Sequence, residues 1–243
     1  MKKVRVGMVV PSLNTIAEDD FRLFCPDDVA YHVHRIRLRK EGGRVTMESL
    51  QRAWLEAADE ADYLKDLSPD AVVFNCTGAS VANGAQGDAV LAQRLGERLG
   101  LPATNTMVAI KEALAALRCE RILHVCPFAD VFSRIERESL EASGHDVART
   151  VSLGFTDAKE AALMTPQRIA AIVREQIDAD ISAVLLSCAN VRAFEAAHEL
   201  ETSLGLPVVT SNQATLWAVL RLAGWRGRIE GAGRLFAGAR AEA

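Results

Sequence analysis

The chain has 243 residues, 49% of them hydrophobic, a formal net charge of −4 and only 5% aromatic side chains. Mixed charge of this kind excludes a basic nucleic-acid surface or a polybasic membrane anchor, and no apolar run approaches the roughly 20 residues of a membrane span. The five cysteines include no Cys-x-x-Cys spacing, which argues against a disulfide framework or structural zinc.

Met1-Lys2-Lys3 leads straight into an apolar run, so no secretory leader is expected, and reduced thiols in the cytoplasm follow. Val4 to Val10 is apolar and β-branched and predicts a buried parallel strand. Pro11-Ser12-Leu13-Asn14-Thr15 is the loop after it. Asn14 has two readings: it caps the helix that begins near Ile16, or it points its amide into a cleft beyond the strand ends. Val29 to Leu38 alternates into a second strand, and a long helix from about Met47 to Leu67 is stopped by Ser68-Pro69-Asp70. The run Val72-Val73-Phe74 then ends in Asn75-Cys76-Thr77-Gly78, a buried strand running into a turn that opens toward a helix. Helix resumes near Asp88 and ends at Gly100, Pro102 to Thr104 is a short strand, and a helix from Asn105 to Leu117 closes the first half.

The second half repeats the plan. Arg121 to Val125 is a strand, and its loop is Cys126-Pro127-Phe128-Ala129-Asp130. A helix runs to about Ala142, Val147 to Leu153 is a strand, and Gly154 to Ala158 is a loop. Thr165-Pro166 opens the next helix with proline at its first position. The run Ala183 to Leu186 ends in Ser187-Cys188-Ala189-Asn190, a second strand–cysteine–turn. A helix near Ala193 to Leu204, a strand Pro207 to Thr210 and a last long helix from Ser211 follow, and the tail from Gly231 reads as frayed.

The two halves pair off. Pro11 with Pro127, Cys76 with Cys188 and Pro102 with Pro207 stand 116, 112 and 105 residues apart, as loop deletions in a second copy would make them. The fold class is therefore α/β, two pseudo-symmetric flavodoxin-like βα domains with parallel four-stranded sheets and a site in the cleft between them. The expected boundaries are 1–117, completed by the C-terminal stretch 211–243, and 118–210.

Serine-hydrolase, P-loop and dinucleotide-binding signatures are absent from the sequence, and the five histidines do not cluster at metal spacing. His32 and His34 read as a structural or surface pair, and His124 as a satisfied core residue. Cys25 and Cys119 sit at helix ends and read as inert, and Cys126 ends a strand, where it either packs or lines the cleft. That leaves Cys76 and Cys188 without metal or cofactor. Two thiols facing across a cleft suit proton removal and return on opposite faces of one carbon, or one nucleophile with one proton donor. Backbone N–H groups and a helix dipole after Cys76 are expected to lower its pKa.

On Val9-Val10-Pro11-Ser12-Leu13-Asn14-Thr15, Asn75-Cys76-Thr77-Gly78, Leu185-Leu186-Ser187-Cys188 and Pro207 to Trp217, the chain resembles the aspartate/glutamate racemase superfamily. The resemblance covers essentially the whole chain and is nearest to the maleate cis–trans isomerase and arylmalonate decarboxylase branch. Decarboxylases of that branch carry glycine where this chain has Cys76, so two thiols imply an isomerase or racemase. The resemblance implies Cys76 as nucleophile, Cys188 as acid/base, no cofactor and a small carboxylate substrate. It implies a substrate-binding set of Pro11, Ser12, Asn14, Thr77, Gly78, Phe128, Ala158 and Ala189. Two positions depart from the pattern: Phe128 replaces a tyrosine, and Ala158 falls where the family often has asparagine. Both changes remove a carboxylate-binding group, so maleate itself is not the expected best substrate. Amino-acid racemisation, arylmalonate-type decarboxylation and non-catalytic binding of a small acid remain as alternatives. A homo-oligomer, dimer or tetramer, is expected from apolar helix faces.

Overall fold

The computed structural model describes residues 3–237. The expectations placed on Met1-Lys2 and on the tail beyond residue 237 lie outside the described residues. Among the described residues eight strands form two parallel sheets. The first contains β1 (Val4–Pro11), β2 (Val29–Ile36), β3 (Ala71–Phe74) and β4 (Ala103–Asn105) in the order β2-β1-β3-β4. The second contains β5 (Ile122–Phe128), β6 (Arg149–Phe155), β7 (Ala183–Leu186) and β8 (Val208–Thr210) in the order β6-β5-β7-β8. The orders are the same, shifted by four strands, so the internal duplication extends to topology. In each half the cysteine comes two residues after the third strand, whose end is Phe74 in one half and Leu186 in the other.

Helices connect the strands: α1 (Ala17–Phe24), α2 (Met47–Ala61), α3 (Thr77–Val81), α4 (Gly87–Leu99), α5 (Thr106–Ala116), α6 (Asp130–Glu141), α7 (Ala158–Ala162), α8 (Pro166–Gln176), α9 (Phe194–Leu204) and α10 (Ser211–Leu222). Their starts follow capping chemistry. Thr46 and Ser49 bond each other's backbone N–H ahead of α2, and Thr210 and Gln213 do the same ahead of α10. Asn105 Oδ1 accepts from Met107 and Val108 N–H, and Thr165 caps α8 with Pro166 at its first position. Gly100 and Gly205 close α4 and α9 in the left-handed conformation.

The core explains why β1 reads as continuously apolar. Val6, Met8, Val9 and Val10 are fully buried, the odd and even positions on opposite faces of a central strand. Gly7 suits the tight packing there, because a Cβ would meet Leu64 Cδ1 and Val72 Cγ2 at 3.0 Å. One cluster unites the halves: Met107, Ile110 and Leu114 of α5 pack with Ile122, Leu185 and Val209 of the second sheet and with Ala214 and Ala218 of α10. The opposite flank of α10, Leu216, Val219 and Leu220, covers Val6, Met8 and Val10 of the first sheet. The two sheets are thus held on one seam, and the ends of β1, β3, β5 and β7 come to one cleft.

Three local expectations are corrected. The helix predicted over 47–67 ends at Ala61 and tightens into a 3-10 turn, Asp62–Leu67, before left-handed Ser68 and Pro69 end it. The loop expected over 154–158 runs into a helical turn, α7, because Asp157 Oδ1 accepts from Lys159 N–H. The tail expected to fray from Gly231 is docked as far as residue 237: Ala232, Leu235 and Phe236 are buried, and Glu201 Oε2 accepts from Arg234 N–H at 2.7 Å. Apolar side chains hidden in a Gly/Ala/Arg-rich stretch carry that docking.

Candidate active site

Each thiol is placed by a strand end. Cys76 is half-buried and precedes α3, and the backbone N–H of Ala79 favours its thiolate. Cys188 is buried and accepts from Asn190 N–H at 3.3 Å. Its backbone φ is +95°, a conformation that costs a non-glycine residue about 1–3 kcal/mol. The surroundings hold it there. Ser187 N–H bonds Val125 O at 2.9 Å, and Ala189 O accepts from both Asn14 Nδ2 at 2.9 Å and Asn212 Nδ2 at 3.0 Å.

The expected fall in the Cys76 pKa is reversed. Burial pushes this thiol up to about 11, against the lowering effect of the Ala79 N–H, and the charge of Glu136 adds to the rise. With only five residues, α3 has too few aligned peptides for a large dipole. Burial pushes Cys188 higher still, with Glu136 and Cys76 both contributing and Asn190 N–H opposing. Cys76 is the less buried of the two, so its thiolate is the less costly to form.

A buried polar network lies under the cleft. Asn75 Nδ2 donates to Asn212 Oδ1 at 3.1 Å, and Asn75 Oδ1 accepts from Thr106 Oγ1 at 2.8 Å. Asn212 Nδ2 also reaches Asp20 Oδ2 at 2.7 Å. Asn14 Oδ1 accepts from Ile16 and Ala17 N–H, as the capping reading has it, while its Nδ2 crosses to Ala189 O of the other half. Asn190 crosses in return, accepting from Thr15 N–H at 2.9 Å and donating to Ala158 O at 2.9 Å. The start of α10 and the two cysteine loops are in this way fixed to one another.

Cys76 and Cys188 line one cavity of about 210 Å³. Pro11, Asn14, Thr77, Gly78, Phe128, Ala158 and Ala189 line it with them. Ser12 does not: it is exposed, and its hydroxyl accepts from Leu38 N–H at 3.1 Å, which fixes the loop and not a ligand. Thr77 Oγ1 is shared with Ser211 Oγ at 3.0 Å. Leu38, Val45 and Leu50 from the first half and Phe128, Phe132 and Phe155 from the second make the cavity walls largely apolar. Phe128 meets Phe132 edge-on, with ring centroids 6.0 Å apart.

Sequence reasoning missed Glu136, Asn190 and Arg44, all of which line the cavity. Glu136 carried a readable signal. It falls four residues after Phe132 on the buried stripe of α6, where a carboxylate needs a reason. His124, expected to be satisfied, is only half so: Nε2 meets Glu136 Oε2 and Ser187 Oγ at 3.1 Å each, and Nδ1 is buried without a partner. Cys126 is buried in the strand and does not line the cavity. His34 pairs with Glu60 at 2.8 Å and stacks on Tyr63, and among the described residues no cluster of His, Cys, Asp and Glu is placed to hold a metal ion. Among the described residues no helix is long and apolar enough to cross a membrane.

Two like α/β halves, each delivering one thiol to a shared apolar cleft, define a class of two-cysteine cleft proteins. The chain belongs to the arylmalonate decarboxylase family, whose model matches residues 6–236. It is 26% identical to a maleate isomerase of Geobacillus stearothermophilus, over 98% of each chain. It is 29% identical to an arylmalonate decarboxylase of Bordetella bronchiseptica, over 95% of each. The crystal structure of a maleate isomerase from Pseudomonas putida S16 superposes with a TM-score of 0.90 at 25% identity, covering 98% of this chain and all of that one.

Proposed function

We propose that the protein is a cofactor-independent cis–trans isomerase of a small unsaturated carboxylate. The observation that carries this reading is that Cys76 and Cys188, from equivalent positions of the two halves, line one cavity. The working state holds one proton on the pair, as Cys76 thiolate and Cys188 thiol. The Cys76 sulfur adds to one olefinic carbon, and the neighbouring carbon takes the proton from Cys188. Rotation about the new single bond follows. Cys188 then recovers a proton from that carbon, the double bond re-forms, and the C–S bond breaks to return the Cys76 thiolate. The greater exposure of Cys76 and the burial of Cys188 support this division of roles. Relatives named both as isomerases and as a decarboxylase fit the same scaffold, and Cys76 beside Cys188 favours the isomerase side.

Proton NMR of unsaturated mono- and diacids in D₂O tests the proposal. Expected is conversion of a cis olefin to its trans isomer, lost by roughly 10²–10⁴-fold in Cys76→Ser and in Cys188→Ser. Exchange of the α-proton of a saturated amino acid without any olefin isomerisation would identify a racemase instead. The same reading takes the protein to be cytoplasmic and a dimer or tetramer. Five free thiols and the exposed Leu23, Leu55 and Leu163 support it, and sedimentation at micromolar concentration measures the assembly.

A further inference from the structure

Among the described residues that line the cavity, Glu136 is the only anion and Arg44 the only cation. Glu136 is 3% exposed, and what surface it has belongs to the cavity. One of its oxygens is fully engaged: Oε2 accepts from Ser187 Oγ at 2.6 Å and meets His124 Nε2 at 3.1 Å. Facing a carboxylate, which only accepts, His124 Nε2 is the donor in that contact. Among the described residues Oε1 of Glu136 makes no hydrogen bond to the protein. The charge reaches the chemistry, since it pushes up the thiols of Cys76, Cys126 and Cys188 alike.

We propose that Glu136 is a specificity-determining residue, and that the substrate pairs one carboxylate with one N–H donor, amide or ammonium, so that it is not a dianion. A substrate group that meets Oε1 must donate, because a carboxylate only accepts. A second carboxylate there would stand acceptor to acceptor and charge to charge, in a space that Phe128 and Phe132 keep apolar. Arg44, at the exposed side of the same cavity, supplies the opposite pole for the one carboxylate. Phe128 agrees with this, since its ring offers no donor to a second carboxylate. The proposal rests on the reading of the cavity as a substrate site, and it names the substrate class of that site.

The test measures binding and not turnover. Succinate and its monoamide, succinamate, have no double bond and so cannot be isomerised. Titration calorimetry or ligand-observed NMR on the unmodified protein should show succinamate binding at least roughly tenfold more tightly than succinate. In Glu136→Gln that preference should fall to about one, mainly through tighter succinate binding, while Glu136→Asp should keep it. Equal binding of the two by the unmodified protein would overturn the proposal, as would an unchanged preference in a folded Glu136→Gln protein or failure of both probes at millimolar concentration. If circular dichroism shows that Glu136→Gln does not fold, the unmodified protein decides alone. A selective binder that isomerises no olefin would refute the reaction and leave this proposal standing. An isomerase that binds both probes equally would do the reverse.

Discussion

Asp20 gives the structure a pH-dependent stability. The residue is 1% exposed on α1, and its carboxylate accepts from Asn212 Nδ2 beneath the Cys188 loop. Burial raises its pKa from 3.8 to about 7; the Asn212 amide opposes the rise, and the nearby Glu195 charge adds to it. The folded state therefore holds a proton that the unfolded chain has already released. Stability contributed by this group is present in full below pH 4, declines as pH climbs toward 7, and is gone above it. The gap from 3.8 to about 7 corresponds to about 4 kcal/mol. Asp20→Asn keeps an acceptor for Asn212 and has nothing to titrate. The difference in unfolding free energy, variant minus parent, should increase by about 4 kcal/mol between pH 4 and pH 8. Urea titrations followed by circular dichroism across that range measure it, and the other carboxylates cancel in the difference. A difference that stays flat with pH, or falls, would refute the reasoning.

Three further outcomes follow from the site. Phe128→Tyr adds a phenol facing the cavity. A hydrogen bond to a charged acceptor is worth about 1.5–3 kcal/mol, so maleate binding or turnover should rise roughly tenfold to a hundredfold in an NMR assay; no gain would mean that the missing hydroxyl is not limiting. Cys188→Gly should be more stable than Cys188→Ala by about 1 kcal/mol in thermal or urea unfolding, because only glycine is at ease at φ +95°; the opposite order would show that the backbone is not strained. Alkylation of Cys76 by iodoacetamide, followed by peptide mapping, should keep accelerating above pH 9 and should outpace Cys188 throughout, while a plateau below pH 9 would contradict a thiol raised to about 11.

Much of this was legible in the sequence because β3 and β7 announce themselves. Ala71–Phe74 and Ala183–Leu186 are short, fully apolar and followed by cysteine, and their equivalence depends on sequence spacing alone. The likeness of the two sheet orders and the meeting of Cys76 with Cys188 follow from that duplication. The pKa of Cys76 escapes the sequence because a turn can be seen there and desolvation cannot: backbone N–H groups after Cys76 are legible, but the apolar walls of Leu50, Phe128 and Phe132 come together only in the fold. Ser12 was misplaced because a loop hydroxyl shows no direction in sequence, and here it turns back to Leu38 N–H. The left-handed backbone of Cys188 has no signal at all, since cysteine does not favour it. Glu136 could have been found from its place four residues after Phe132, but its partners His124 and Ser187 lie on other strands and are not adjacent in sequence.

The central claim is that Cys76 forms a bond to substrate and Cys188 moves the proton. Mass spectrometry of Cys188→Ser after incubation with a cis-unsaturated acid tests it most directly. The account predicts one covalent adduct per chain, mapped by peptide analysis to Cys76, and none in the protein carrying Cys76→Ser as well. Undiminished isomerisation by Cys188→Ser, or an adduct on any other cysteine, would contradict it.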